Sequence, residues 1–278
     1  PYAGSFRGYG NVQTTWATAQ QMDMLADMVD IDPLEFHLKN AQRSGEVTPQ
    51  KSFLRECALV ECLETAASAS DYSRKRKEYA ALRDAPGRYK KGIGLASSVH
   101  NAGGAKIHKS DGIGTILKMD DYARVTVITG ASEIGQGIDA VITLIVAEEL
   151  GVPLEHVTIV NNDSDVAPWD VGVHASRTTF IAGNGTRRAA QKAKAQILDA
   201  AERMLGEPAE SLDLRGGSVV LEPDGTPLIQ LDRLLRPLHF TAHPELVMIT
   251  DSYEPKSERE GARLTPDHSA AYSPPAHR

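Results

Sequence analysis

The chain has 278 residues, of which 41% are hydrophobic and 24% charged, and its formal net charge at pH 7 is −7. This is the composition of a soluble globular protein with one large or two ordinary domains. The acidic balance argues against nucleic acid as the main partner. The lack of a long apolar run argues against a membrane span.

Cysteine usage limits the redox chemistry of the chain. Cys57 and Cys62 are the only cysteines, and their spacing of five fits neither a zinc pair nor a redox motif. Both lie in an apolar helical pattern, so we expect buried thiols and no metal site. Because an iron–sulfur cluster takes four thiolates, any such cluster must belong to another chain. The low cysteine content favours a reducing cytoplasm.

Helical spacing dominates the first part of the chain. Asp32 followed by Pro33 is a typical helix start. The expected helices cover residues 12–29, 33–40, 58–69 and 72–82. A break at residues 84–87 ends this helical part, and we place a domain boundary near Pro86 and Gly87.

The period then changes to short β-rich runs alternating with helices. Strands are expected at residues 92–100, 114–119, 125–130, 157–160, 218–221 and 246–250, and helices at 137–150 and from about 183 to 205. The first of these helices is apolar nearly all round and should be buried. The prediction is an α+β fold of layered mixed sheets with packed helices. Its parts are an N-terminal loop and helical segment (1–86), an α/β subdomain (87–251) and a mobile tail (252–278).

Two glycine motifs point to a ligand. Phe6-Arg7-Gly8-Tyr9-Gly10 can bring backbone amides, a guanidinium and aromatic rings to a polyanionic or planar ligand. Gly135-Gln136-Gly137 follows an expected strand and opens an expected helix, so its amides can face an anion. Each motif alone is also compatible with an ordinary turn.

A third segment adds hydroxyl groups ahead of a helix start. Asp163 lies in an acidic turn. Ser176, Thr178 and Thr179 carry hydroxyl groups beside small residues such as Ala175, ahead of the 182–185 stretch that we expect to enter a helix. Such hydroxyls commonly cap a helix, and they can also hold phosphate or pterin oxygens. Three such loops in one chain favour an anion or cofactor site that is formed by separate segments of the chain.

These motifs resemble one family. The loop at residues 4–10 with Gln13 resembles the Phe-Arg-Gly-Phe-Gly loop of the xanthine oxidase/aldehyde oxidase family of molybdenum hydroxylases. Gly135-Gln136-Gly137 is similar to the Gly-Gln-Gly cofactor loop of that family, and Asp163 with residues 175–178 is similar to its third pterin-contacting segment. Within the family, residues 100–111 and the Ser-Arg-Thr-Thr run are similar to large subunits of the 4-hydroxybenzoyl-CoA reductase type.

The resemblance implies a molybdopterin cofactor, which in bacteria is often the cytosine dinucleotide. It implies oxidation or hydroxylation of a carbon centre of an aldehyde, an N-heterocycle or an aromatic thioester. The electrons would leave through iron–sulfur and flavin subunits of the same complex, and a second copy of the chain is a further candidate partner.

The resemblance also assigns roles to residues. Arg7 would lie near the oxo and sulfido face of the metal, and Tyr9 would pack against substrate. The residues expected to contact the cofactor are Phe6, Gly8, Gly135, Gln136, Gly137, Asp163, Ala175, Ser176 and Thr178.

The chain departs from the family pattern in two places. The Gly-x-Gly-Glu-Pro segment that holds the essential general base is missing, and so is the upstream Gly-Gly-Phe-Gly loop. Since general base catalysis needs a positioned group of suitable pKa, we expect the isolated chain to be inactive. It reads as a central segment of a large subunit. The alternative is a non-catalytic stand-alone or truncated module that binds a pterin-like or nucleotide-like anion.

Overall fold

The computed structural model describes residues 7–48, 53–54, 56–98 and 111–255. These residues fall into two compact units, one within residues 7–98 and the other within residues 111–255. The domain boundary expected near Pro86 stays a prediction. Phe6 and residues 100–110 of the segment expected at 100–111 lie outside the described residues. In the part of the chain that is described, no helix is long and apolar enough to cross a bilayer.

The first unit is helical, as the spacing predicts. Its four helices are α1 (Asn11–Met28), α2 (Pro33–Asn40), α3 (Leu59–Ala69) and α4 (Tyr72–Ala81). Each bound lies within a residue of the expected one. The Asp32 carboxylate accepts a hydrogen bond of 2.9 Å from the Leu34 backbone N–H, and this bond caps α2.

Two predictions for the first unit are wrong. Residues 92–98 form no strand, although Ile93 and Leu95 alternate with exposed neighbours as a strand requires. An extended segment becomes a strand only when a partner satisfies its backbone groups, and no described strand pairs with it. The cysteines are not buried: Cys57 is half-buried and Cys62 exposed. Cys62 stands about 100° around α3 from the buried Leu63.

The second unit contains two sheets, three α-helices and two short 3-10 helices. In chain order its elements are β1 (Ile113–Met119), β2 (Val125–Thr129), α5 (Ile138–Leu150), β3 (Val157–Val160), α6 (Thr178–Leu205), β4 (Leu212–Arg215), β5 (Ser218–Leu221), β6 (Thr226–Gln230), α7 (Leu231–His239) and β7 (Met248–Tyr253). The order in the larger sheet is β3-β2-β1-β7, and β4-β5-β6 form the smaller sheet. Only β2 and β3 are parallel, with α5 as their crossover. This mixed arrangement confirms the predicted fold class.

Helices α5 and α6 pack on each other and contact strands of the larger sheet. One stripe of α5 is buried at a spacing of four, namely Ile138, Ile142, Val146 and Leu150. Leu144, on another face, is 56% exposed. The expectation that α5 is buried all round is therefore wrong, because a helix on one sheet buries a single face within this unit.

Helix α6 begins at Thr178, five residues before the expected start. Gly183 and Gly185 therefore lie inside the helix and do not lead into it. A Cβ atom on Gly185 would lie 2.9 Å from Cγ2 of Ile113. These glycines let the helix approach its neighbours closely, and the same small residues made this stretch resemble a loop.

Three elements of the second unit were not predicted, namely β4, β6 and α7. The two strands are short, and Pro227 in β6 and Pro237 in α7 argue against regular structure in a single sequence. Strand β7 extends to Tyr253, two residues into the segment expected as a tail. Residues 256–278 lie outside the described residues, so the mobile tail stays a prediction.

Candidate functional site

The loops that follow β2 and β3 form the centre of the candidate site. Because these two strands are parallel neighbours, their carboxyl ends lie at the same edge of the sheet. Ligands of α/β proteins commonly bind at such an edge. The Gly135-Gln136-Gly137 segment follows β2, and the Asp163 segment follows β3. The topology therefore brings together two of the predicted motifs.

Two asparagines join these loops. The Asn162 side chain donates to the Glu133 carbonyl oxygen at 3.1 Å. The Asn161 side chain donates to the Ala131 carbonyl oxygen at 3.0 Å and to the Asp139 carboxylate at 2.5 Å. Our sequence reasoning did not select Asn161. The sequence feature that could have indicated Asn161 is an amide side chain directly after an expected strand.

The chain segment that leads to the third motif, at residues 175–178, contacts the same edge of the sheet at Gly130. A Cβ atom at this position would lie 2.5 Å from the Pro168 carbonyl oxygen and 2.6 Å from Cβ of Asp170. The chain before α6 thus packs directly on the end of β2. The Ala175, Ser176 and Thr178 segment follows a few residues later. All three cofactor segments of the second unit therefore belong to one connected structure.

The backbone N–H groups at the N-terminus of α5 are hydrogen-bonded to a side chain from the loop that precedes this helix. The Glu133 carboxylate accepts hydrogen bonds from the backbone N–H groups of Gly135 (2.6 Å), Gly137 (3.1 Å) and Asp139 (3.3 Å). The two glycines have left-handed backbones, with φ of 97° and 84°. These bonds, the one from Gly137 foremost, hold the pKa of Glu133 below its usual value. The expected anion contact at these amides is thus made by Glu133 itself.

Gln136 stands exposed at the tip of this loop. Its side-chain oxygen accepts from the Ile134 N–H at 2.7 Å, and its amide nitrogen donates to the Ser132 carbonyl oxygen at 2.8 Å. A primary amide has two N–H donors and two acceptor lone pairs. One donor and one lone pair of Gln136 therefore remain for a ligand, in an orientation fixed by the loop.

Asp163 holds the turn after β3. Its carboxylate accepts from the Asp165 N–H at 3.0 Å, and its carbonyl oxygen accepts from the Ala167 N–H at 2.8 Å. The residue is exposed. Its role in the structure is to shape the loop that carries Asn162.

The segment before α6 is strained and offers hydrogen-bond donors. Ala175 and Ser176 are consecutive non-glycine residues with left-handed φ of 48° and 53°, an arrangement concentrated at functional sites. The backbone N–H groups of Ala175, Ser176 and Thr178 make no hydrogen bond within the described residues. No side chain caps α6, so the capping role considered for Ser176 and Thr178 is wrong.

Arg177 is the buried hub beneath this segment, with a side chain only 1% exposed. Its Nε donates to the Asp111 carboxylate at 2.7 Å, and its Nη1 donates to both carboxylate oxygens of Asp170 at 3.0 Å. Further bonds reach the carbonyl oxygens of Gly172 (2.9 Å) and Asp111 (2.7 Å). Our sequence reasoning missed Asp111, Asp170 and Arg177 as a group. An arginine at the positive end of a helix was the available signal.

In the first unit, the glycine loop forms a tight turn ahead of α1. The Gly8 carbonyl oxygen accepts from the Asn11 N–H at 2.9 Å. Gly8 and Tyr9 have φ of 92° and 52°. The Tyr9 side chain is 55% exposed, and Arg7 is exposed as well. The turn therefore exposes a cation and a ring, and the roles expected for Arg7 and Tyr9 stay predictions. Over the described ranges, no group of three or more His, Cys, Asp or Glu side chains could hold a metal ion.

Comparison with protein-family models assigns this chain to a class of proteins. Residues 65–274 and residues 1–41 match the family models of two molybdopterin cofactor-binding domains. The first match alone covers more than half of the chain. The chain therefore belongs to the molybdopterin cofactor-binding domain family of the xanthine dehydrogenase and aldehyde oxidoreductase group, as the motifs indicate.

Curated relatives agree with this assignment. The chain is 34% identical over 252 residues to the xanthine dehydrogenase molybdenum-binding subunit of Escherichia coli O157:H7, which covers 88% of this chain and 32% of the relative. It is 31% identical over 223 residues to the 6-hydroxypseudooxynicotine dehydrogenase complex subunit gamma of Paenarthrobacter nicotinovorans, with 77% and 27% covered. The chain thus spans about a third of the length of these relatives.

Solved structures share the fold. Quinoline 2-oxidoreductase from Pseudomonas putida 86 superimposes with a TM-score of 0.71 at 20% identity, over 91% of this chain and 34% of that chain. Aldehyde oxidoreductase from Desulfovibrio gigas gives a TM-score of 0.63 at 23% identity, over 91% and 24%.

Acid is expected to open the Gly135-Gln136-Gly137 loop. The lowered pKa of Glu133 means that its carboxylate stabilises the fold above its unfolded pKa of about 4.3. This stabilisation is lost as the pH falls through the lower folded pKa. The measurement is the pH dependence of the Gly137 amide resonance. The pH transition of this resonance should have its midpoint below the ordinary pKa of a glutamate. The transition should disappear in Glu133→Gln and remain in Glu148→Gln, which changes an exposed residue near the end of α5. A midpoint at or above the ordinary value would contradict the assignment.

Proposed function

We propose that this chain forms the molybdopterin-holding part of a molybdenum hydroxylase that oxidises or hydroxylates a carbon centre of an aldehyde, an N-heterocycle or an aromatic thioester. The observation that supports this most is the set of backbone N–H groups at the two left-handed residues before α6, which make no hydrogen bond to any described residue. These amides stand on the same connected structure as the Gln136 loop. Family membership supports the same reading.

The described residues fit such a cofactor. Free amides at Ala175, Ser176 and Thr178 suit phosphate or pterin oxygens, because neutral donors at a helix N-terminus favour negative charge. Gln136 offers one donor and one acceptor, which suits the mixed polar edge of a pterin. Gly135 and Gly137 leave the backbone open to close approach, since nothing lies within 4 Å of a Cβ placed there. Gly8 and Asp163 complete the described members of the proposed set of cofactor residues, and Phe6, which lies outside the described residues, is proposed with them.

Arg7 and Tyr9 have a different proposed role. The metal group, when bound, supplies the two-electron oxidation of the substrate. Arg7 presents a permanent positive charge, and Tyr9 presents a ring that can pack on a planar substrate. We propose that both residues orient the substrate at the face of the metal. The general base is supplied by a segment that this sequence does not contain.

Finer features of the cofactor and the assembly belong to the same proposal. We propose the cytosine dinucleotide form of molybdopterin, iron–sulfur and flavin subunits as electron acceptors, and a cytoplasmic location. A homodimer is a further proposed arrangement. The relative named as a complex subunit gamma supports a multi-subunit assembly.

Cofactor loading tests this function directly. We expect the chain, produced in a host that makes molybdopterin, to copurify with pterin and molybdenum close to one per chain. We also expect no turnover of aldehydes, N-heterocycles or aromatic thioesters. The measurements are metal analysis, fluorescence of the oxidised pterin and a turnover assay. Release of cytidine monophosphate by acid would support the dinucleotide form.

Two results would contradict the proposal. A folded chain that retains no pterin would remove the binding function. Robust turnover by the loaded chain would show that a general base is present after all. A matched control is Arg203→Lys, at an exposed ion pair on the last turn of α6, which should load as well as the wild type.

A further inference from the structure

We infer that Asp111, Asp170 and Arg177 are positioning residues that hold the backbone amides of Ala175 and Ser176 in place for a phosphate-bearing ligand. This inference rests on the proposed function and adds to it a set of residues that do not touch the ligand. It is carried by the burial of Arg177, by its hydrogen bonds and by the strained backbone beside it.

The strained backbone needs an external restraint. A left-handed non-glycine residue is strained, and this conformation persists only when the surroundings of the residue impose it. Ala175 and Ser176 are two such residues in succession. Neither is a glycine or an asparagine, the residue types that adopt this conformation most readily. The restraint must therefore come from contacts outside these two residues.

Arg177 supplies this restraint by closing the loop on itself. Its Nη1 holds the Asp170 carboxylate and the Gly172 carbonyl oxygen at the start of the loop. Its own backbone N–H donates to the His174 carbonyl oxygen at 3.0 Å. One residue thus clamps both ends of the short segment that contains Ala175 and Ser176.

Asp111 ties this clamp to the sheet. Both its carboxylate and its carbonyl oxygen accept from Arg177 at 2.7 Å. Its own N–H donates to the Glu254 carboxylate at 3.0 Å, directly after β7. Asp111 also stands just before β1. The direction of the free amides is therefore set relative to two strands of the larger sheet.

The same contacts show why Arg177 is not itself the ligand-binding group. Its side chain is only 1% exposed, and its nitrogens face carboxylate and carbonyl oxygens. The carboxylates of Asp111 and Asp170 lie next to the guanidinium and balance its positive charge. An anion above this segment would instead meet neutral amides at the N-terminus of a 28-residue helix.

Pyrophosphate provides a simple probe of this site. The experiment titrates pyrophosphate into the isotope-labelled 278-residue chain and follows the amide resonances of Ala175 and Ser176. The variants are Arg177→Lys, which keeps the charge but loses the fork of donors, and Asp170→Asn, which keeps the shape but loses a carboxylate. Arg203→Lys is the matched control. The amide of Ile142 in the core reports whether the fold is intact.

We expect both test variants to bind pyrophosphate at least ten-fold more weakly than the wild type, with the Ile142 resonance unchanged. The control should stay within two-fold of the wild type. If Arg177→Lys does not fold, Asp170→Asn decides the question. A merely structural role would lower stability without changing the pyrophosphate affinity of the folded protein.

Two outcomes separate the inference from the function on which it rests. Wild-type affinity in both folded variants would overturn the positioning role and leave the proposed function intact. Amides of Ala175 and Ser176 that do not respond in the wild type would overturn the phosphate contact of the proposed function as well.

Discussion

Replacement of Arg177 by methionine is expected to lower the free energy of unfolding by about 3–5 kcal/mol, the range seen when one partner of a buried ion pair is removed. The side chains of Asp111 and Asp170 are only 1% and 3% exposed. Without the guanidinium, both carboxylates would remain buried and face no cation. Urea denaturation of the variant and the wild type gives this difference directly.

A matched change at the other end of α6 separates burial from loss of charge. Arg203→Met removes an exposed ion pair with Glu245 and should cost no more than about 1 kcal/mol. Asp170→Asn in the Arg177→Met background should recover part of the lost stability, because it removes one uncompensated carboxylate. Equal losses in Arg177→Met and Arg203→Met would refute the role of burial.

Gly130→Ala is the second change with a large expected effect. The added methyl group would lie 2.5 Å from the Pro168 carbonyl oxygen and 2.6 Å from Cβ of Asp170. A carbonyl oxygen and a Cβ atom are fixed to the backbone and cannot rotate away, so the whole segment must shift. Overpacking of this kind typically costs 1–3 kcal/mol, and we expect a loss of about 3 kcal/mol. The shift would also displace Asp170 from Arg177, so pterin retention should fall in the same variant.

Gly135→Ala is the control for Gly130→Ala. Gly135 has a φ of 97°, but nothing lies within 4 Å of a Cβ placed there. Its replacement should therefore cost only backbone strain, about 1–2 kcal/mol. Thermal unfolding of both variants provides the comparison. A larger loss of stability in Gly135→Ala than in Gly130→Ala would contradict the packing argument.

Local spacing determined much of the fold. The helices of the first unit and the strands at residues 114–119, 125–130 and 157–160 agree with the structure to within one or two residues. Capping residues and alternating apolar residues act over a few positions, so they are visible in a single sequence. The start of α6 was misjudged because Gly183 and Gly185 serve contacts with distant parts of the chain, which sequence spacing does not reveal.

Some features of the candidate site could likewise be predicted from the sequence, and others only from the tertiary structure. The sequence alone located the three glycine-rich or hydroxyl-rich segments, because each is a short contiguous motif that resembles a known cofactor loop. Only the tertiary structure revealed that the Glu133 carboxylate accepts hydrogen bonds from the backbone N–H groups at the start of α5. It also revealed that Arg177 joins Asp170 to Asp111, which lies 66 residues away from Arg177. Buried ion pairs and loop contacts of this kind depend on which strand ends share one edge of the sheet. That is decided by the packing of the whole unit and not by any local pattern of residues.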